Sequence, residues 1–260
     1  FGLGAYGAAL AVKWLGAPME PALLLAPFLA GIAGVVFGWF CVRLSGVYLA
    51  MLTLAFAQIA WATAFQSVDL TGGDNGILGV WPSAWAASKT VYYYLTLVIC
   101  AAAILALRLT IFSPFGYGLR AARDNALRAE AIGLDVVRIQ WAAFAVAAFC
   151  AGIAGGLFAF FKGSVFPTYM AIPRSVDALL MVLLGGVQTV TGPIVGAFAY
   201  AGLSEQLMKA TMYWRFVLGL SIVLLVVLFP RGLVGAVLAL RERWRKEAPP
   251  SAVALAEAGR

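Results

Sequence analysis

The residues best equipped for chemistry lie in one polar loop, Ser113–Asp135, set between two long apolar runs. It carries Arg120, Arg123 and Arg128 with Asp124 and Asn125 among them, spaced by alanines and glycines. These are groups for ion pairing and hydrogen bonding, with no nucleophile beside a base. The rest of the chain offers little more. There is no histidine, and Cys41, Cys100 and Cys150 lie inside apolar runs without ligand spacing, so they read as small buried hydrophobes rather than metal ligands or a disulfide framework. No glycine-rich phosphate loop ending in Gly-Lys-Ser/Thr is present. The apolar runs hold almost no carboxylates, which leaves acid–base catalysis and proton relays little to work with. The chain reads as a non-enzyme without metal or cofactor of its own, one whose work is recognition and movement.

The surroundings of that loop set the class. Of 260 residues 63% are hydrophobic and 11% charged, against about 25% charged in an average soluble domain. A bilayer solvates such a chain, and water does not. Apolar runs suited to spanning are a short first one at 1–13, then 22–42, 46–65, 91–111, 138–161 and 214–229, the last ending at Phe229-Pro230-Arg231-Gly232. The sequence starts at Phe1 inside an apolar run, which suggests that one or more N-terminal spans precede it. Nothing basic precedes that run as in a cleavable signal. Between 175 and 209 an apolar stretch too short to cross is followed by Gly185-Gly186, Thr189, Gly192 and Pro193. Glycine and proline interrupt a helix there, predicting a broken or re-entrant pair opening to one side. The fold class is all-α: a polytopic transmembrane helix bundle with that broken pair and one extramembrane helix. The domain reading is a transmembrane domain over 1–235 containing the loop 113–135, then a basic, partly disordered tail over 241–260, where Pro249-Pro250 cannot continue a helix.

The net charge is +7. In this context it argues for topology rather than nucleic acid. With the loops after 42, 111 and 229 on one side, that side holds twelve of the eighteen basic residues and six acids, net +6; the other holds six basic residues and five acids, net +1. This is the bias of a cytoplasmic face. It requires 175–209 to make no net crossing. Ser113 and Pro114 form a helix start, serine capping and proline at the first helical position, and Gly133 is its stop. Leu119, Ala122, Ala126 and Ala129 then share one face of a short amphipathic helix. Such a loop can simply hold topology and touch lipid headgroups. Its face of small residues, without bulky anchors, fits close docking on a protein as well.

Several blocks in order carry a resemblance. Phe1–Leu10 (Phe-Gly-Leu-Gly-Ala-Tyr-Gly-Ala-Ala-Leu), Gly46–Gln58, Thr71–Gly76, Ser113–Asp135 and Gly185–Gly196 together make the chain similar to the permeases of branched-chain amino acid ABC importers, specifically the LivM-like subunit. They cover most of residues 1–235. The sequence departs from the family pattern at Gln188, where glycine is frequent, and at Gly7, where threonine is common. The resemblance implies a multi-pass protein of the bacterial inner membrane, with its basic loop and tail cytoplasmic. It implies a second, LivH-like permease, two ATP-binding subunits that hold ATP and Mg, and a periplasmic binding protein that selects the substrate. It implies that Ser113, Pro114, Phe115, Gly116, Arg120, Ala122, Arg123, Asp124, Asn125, Ala126, Arg128, Ala129 and Gly133 form the element coupled to the ATPase, the alanines entering a groove on it and the charged residues making polar contacts. Thr71, Gly72, Gly73, Asp74 and Asn75 become candidates for docking the binding protein, beside their plain reading as a surface turn.

Polar groups inside the spans read two ways, as pathway lining or as hydrogen-bonded packing. Thr53 and Gln58, with Gly185, Gly186, Thr189, Gly192 and Pro193 at the break, are the pathway candidates. Gly152, Gly155 and Gly156 read as close helix packing, and Trp81, Trp85, Tyr92, Tyr93 and Tyr94 as an interfacial aromatic belt. The rival class is an ion-coupled secondary transporter, which calls for coupling-ion sites and often internal repeats; no repeat is visible. The sequence leaves the substrate open among branched-chain and other amino acids, urea, amides and small acids.

Overall fold

A computed structural model of the chain describes residues 1–187, 189–228, 232, 234 and 235. Gln188, the segment 229–231 and the tail 241–260 lie outside the described residues. The chain divides into two compact units, Phe1–Ile172 and Pro173–Arg260.

The first unit holds α1 (Gly2–Leu15), α2 (Met19–Cys41), α3 (Val47–Gln66), the single turn α4 (Val68–Thr71), α5 (Lys89–Ile111), α6 (Pro114–Asp124), α7 (Ala126–Ala131) and α8 (Val136–Lys162). Helices α2, α3, α5 and α8 are long and apolar enough to cross a membrane. Even the 20-residue α3 reaches about 30 Å. Each falls on an expected span within three residues. Helix α1, with 14 residues, reaches about 21 Å.

Lipid is as apolar as leucine, so helices in it associate by close packing rather than by burial from water. The core of this unit shows how. Ala5, Ala8, Ala9, Ala22 and Ala26 are fully buried where α1, α2 and α8 meet. A Cβ on Gly152 of α8 would lie 2.8 Å from Pro27 Cα and 2.6 Å from Ala30 Cβ, and one on Gly155 would lie 2.0 Å from the Phe1 carbonyl oxygen. The glycine cluster is therefore a packing seam, as its spacing suggests.

Two short strands clip one end together. β1 (Ile77–Leu78) pairs antiparallel with β2 (Ser164–Val165), tying the α3–α5 connection to the end of α8. At the same end the Met19 amide donates to Ser83 Oγ, and Ser83 and Trp85 both donate to Glu20. The opposite end gathers the α2–α3 turn and the α5–α8 connection. There Trp141 of α8 donates to the Val35 carbonyl, and Trp39 packs edge-on against it at 5.4 Å. Successive spans thus alternate in direction, the arrangement that the charge count takes for these four helices. Of the aromatic belt, Trp81, Trp85, Tyr93 and Tyr94 are exposed; Tyr92 is not part of it. Its ring is buried and its hydroxyl donates to the Leu157 carbonyl at 2.5 Å, locking α5 to α8.

The second unit contains α9 (Ile172–Gly185), α10 (Gly192–Ala210) and α11 (Trp214–Leu228). Helices α9 and α10 form a tight antiparallel hairpin. Gly185 meets Gly192, Met181 meets Gly196 and Asp177 meets Tyr200, each step of four back along α9 matched by four forward along α10. Proline at the start of α10 and the glycines before it end one helix and begin the next. The chain enters and leaves this hairpin at one end. Leu184, Leu218 and Ile222 form the core beneath it.

Candidate functional site

The polar loop folds as two helices rather than the single one expected. α6 ends at Asp124, and Asn125 is extended, with φ −160° and ψ 103°. Its side chain accepts from the Arg128 amide at 3.0 Å and so caps α7. Asparagine favours this role over a helix interior, a signal present in the sequence and passed over there. Gly133, at φ +90°, ends α7 as its type suggests. Asp135 caps α8 in turn, accepting from the Arg138 amide at 3.0 Å and pairing with its guanidinium at 2.9 Å.

The start of α6 also differs in detail. Pro114 opens it, but the Ser113 hydroxyl turns back and donates to the Thr110 carbonyl of α5 at 2.7 Å instead of capping α6. The two helices are joined more closely still at Gly116. A Cβ there would sit 2.1 Å from the Ile111 carbonyl oxygen, so only glycine lets α6 lie this near the last turn of α5. Arg120 reaches the same place. Its guanidinium donates to the Ile111 carbonyl at 3.4 Å and lies over the Phe112 and Tyr117 rings at 5.3 and 5.4 Å. A cation there suits the negative end of the α5 dipole. On the other side Gly118 faces the Ile139 tip, and Ala122 and Ala129 are buried against Val136.

This last contact corrects the expected use of the alanine face. Ala122 and Ala129 pack inside the subunit and present nothing to a partner; Ala126, past the break at Asn125, is exposed. The surface left outward is charged: Arg123 and Asp124, paired at 3.1 Å with most of each side chain exposed, and Arg128. Two apolar side chains project from it, Leu127 at 79% and Ile132 at 75% exposure. Sequence reading missed both. The available signal was a bulky aliphatic residue standing among charges in an otherwise small-residue helix.

The Thr71–Gly76 loop is built mainly for its own shape. The Thr71 hydroxyl is buried and donates to the Ala64 and Ser67 carbonyls at 2.6 and 2.7 Å. Gly76 holds φ +65°, and a Cβ on it would strike the Val165 carbonyl oxygen. Gly72 and Gly73 share this turn, and Asp74 and Asn75 are its outward side chains. Among the pathway candidates, Gly185, Gly186, Thr189, Gly192 and Pro193 come together at the tip of the α9–α10 hairpin in the second unit. Thr53 and Gln58 belong to α3 in the first. Thr53 is satisfied by the Ala50 carbonyl at 2.9 Å, and Gln58 is exposed. Among the described residues no group of histidine, cysteine, aspartate or glutamate is arranged to hold a metal, and the three cysteines are free.

Alternating apolar spans, a seam of small residues and one closely attached polar helix pair define a polytopic membrane protein. The family model for the permease component of branched-chain amino acid transport systems matches residues 1–228, and the chain belongs to that family. It is 27% identical over 261 aligned positions to the high-affinity branched-chain amino acid transport system permease protein LivM of Escherichia coli strain K12, covering 90% of this chain and 61% of that relative. The probable LivM permease of Methanocaldococcus jannaschii is 25% identical over 183 positions, 69% of this chain and 53% of its own. The LivH permease of Salmonella typhimurium strain LT2 is 27% identical over 188, covering 71% and 58%. The chain thus spans about three-fifths of the relatives' length. No solved structure matches it.

Proposed function

We propose that this chain is a permease subunit of an ATP-driven importer and forms half of the path for branched-chain amino acids or chemically related small polar metabolites. One observation carries the mechanical part: α6 is joined without slack to both flanking spans, to α5 through Gly116 and to α8 through Ala122. A helix so held moves as one body with the ends of α5 and α8. An ATPase that closes on ATP and pushes on the α6–α7 surface therefore tilts both spans and changes access to the pore. Arg123, Asp124 and Arg128 supply the polar contacts of that surface, and Leu127 and Ile132 supply its apolar anchors, the residue types that give such contacts their strength. Asp74 and Asn75 face a periplasmic binding protein at the other end. The LivH-like permease is the second half of the pore, ATP and Mg reside on two ATP-binding subunits, and the α6 end is cytoplasmic by its excess of arginine.

Reconstitution tests this reading. The chain would be co-expressed with a LivH-like permease and ATP-binding subunits from the same genome, purified as a complex and placed in vesicles with the binding protein outside and ATP inside. Leucine uptake that requires both ATP and the binding protein is the expected result. Uptake that persists without the ATPase and follows an imposed ion gradient would make the chain a secondary transporter.

A further inference from the structure

The joint between α5, α6 and α8 encloses a groove of about 380 Å³. Its walls are Leu107 and Ile111 of α5, Leu119 of α6, and Val146 and Ala147 of α8, and Arg120 lies at its mouth. Its depth sets it apart from a protein-docking face. Leu107 is about 6 Å inward from the end of α5, and Ala147 about 16 Å inward from the start of α8. The groove therefore begins at the level of the loop and descends between two spans into the hydrocarbon. Its polar end is equipped as well. The Arg120 guanidinium has five N–H donors and spends one on the Ile111 carbonyl. The Phe112 and Tyr117 rings hold it in place. Arg123 stands beside it on the wall, and the neighbouring carboxylate, Asp124, is already paired with Arg123.

We propose that this groove binds one anionic phospholipid, its phosphate on Arg120 and one acyl chain along Leu107, Leu119 and Val146. Basic pockets between spans hold anionic headgroups in this manner. A soluble phosphate fits the site poorly, because Arg123 is already paired with Asp124 and the Thr110 hydroxyl is spent on the Ala106 carbonyl, which leaves Arg120, among the described residues, the free cation of an otherwise apolar lining. A protein partner working from outside the membrane does not reach between α5 and α8. The inference stands on the spans and the groove and is independent of the importer reading.

The test is lipid retention by the purified full-length complex, measured by native mass spectrometry during titration with dioleoyl-phosphatidylglycerol or dioleoyl-phosphatidylcholine, which share their acyl chains. The expected result is one phosphatidylglycerol held about fivefold or more tightly than phosphatidylcholine, the preference one arginine at a membrane surface provides. Arg120→Gln should reduce phosphatidylglycerol to the phosphatidylcholine level, and Arg120→Lys should keep most of the preference. Ala147→Trp, which fills the groove, should lower both lipids; Val146→Phe repeats that test from the same wall if the first variant does not fold. A preference that survives Arg120→Gln overturns the proposal. So does retention of both lipids when the groove is filled, or displacement of phosphatidylglycerol by millimolar inorganic phosphate.

Discussion

Gly116→Ala is the sharpest test of the rigid joint. The added Cβ would lie 2.1 Å from the oxygen, 2.5 Å from the carbon and 2.7 Å from the Cα of Ile111, all backbone atoms that cannot rotate aside. Ordinary contact between such atoms needs about 3.5 Å, so α6 must withdraw from α5 by roughly 1 Å. That displacement also breaks the Arg120 bond to the Ile111 carbonyl, already at 3.4 Å. Overpacking of this kind costs about 1–3 kcal/mol, offset by about 1 kcal/mol from replacing glycine with alanine inside a helix. The net effect is destabilisation of up to about 2 kcal/mol together with a loosened lever. Gly118→Ala, on the same helix, supplies the control. Its Cβ would meet only the Ile139 Cδ1 methyl, at 3.3 Å, which can swing away, so the helix gain of about 1 kcal/mol remains. The assay is the thermal midpoint of the purified complex together with ATP-driven uptake per ATP hydrolysed. Gly116→Ala should lower both, and Gly118→Ala neither. A Gly116→Ala complex as stable and as coupled as wild type would refute the argument, as would a Gly118→Ala variant that fares worse.

Arg123→Glu and Arg128→Glu should each leave the protein in the membrane while lowering uptake about tenfold or more relative to ATP hydrolysis, the consequence of losing about 1.5–3 kcal/mol of charge-assisted contact; Arg128 is outside the lipid groove, so equal effects from both would tie the loss to the ATPase surface. Gly196→Leu should open the α9–α10 hairpin, since a Cβ alone meets the Met181 carbonyl oxygen at 1.9 Å, whereas Gly202→Leu, with nothing within 4 Å, should be tolerated; protease resistance of the detergent-solubilised chain reads the difference. Thr71→Val should cost about 1–3 kcal/mol by leaving the Ala64 and Ser67 carbonyls without their hydroxyl donor, while Asp74→Ala should leave the thermal midpoint unchanged and weaken binding of the periplasmic protein.

Four of the six expected spans were legible because hydrocarbon thickness imposes a length and an apolar composition that no loop imitates, whereas the runs at 1–13 and 214–229 form helices of 14 and 15 residues, short of that length. The glycine seam of α8 was legible for a related reason: small residues at helical spacing are what close packing in lipid demands. The hairpin break at Gly185–Pro193 announced itself through residue types that cannot continue a helix. Side-chain direction was not legible in the same way. The alanine face of the loop was read outward because alanine looked too small to anchor in lipid. Alanine is equally suited to packing under a helix, and only the position of Val136 shows which use prevails. Tyr92 was grouped with Tyr93 and Tyr94 by sequence adjacency, yet consecutive helical residues point about a third of a turn apart, and one of the three had to face α8.

The two halves of the candidate site pose opposite demands, and the residues divide along that line. On the proposed reading the lever must be stiff where it joins the spans, and stiffness in a bilayer comes from close approach, which requires glycine and alanine: Gly116, Ala122 and Ala129. A docking surface in that reading must release and re-form with each cycle, which favours exposed charges that water resolvates when the contact opens; Arg123, Asp124 and Arg128 are exposed charges of this kind. Arg120 belongs to neither set. It is half-buried, fixed between two rings and aimed at the junction of helix and lipid. A residue placed there acts on the hinge itself, so its substitution should alter how far the lever moves rather than whether the ATPase binds.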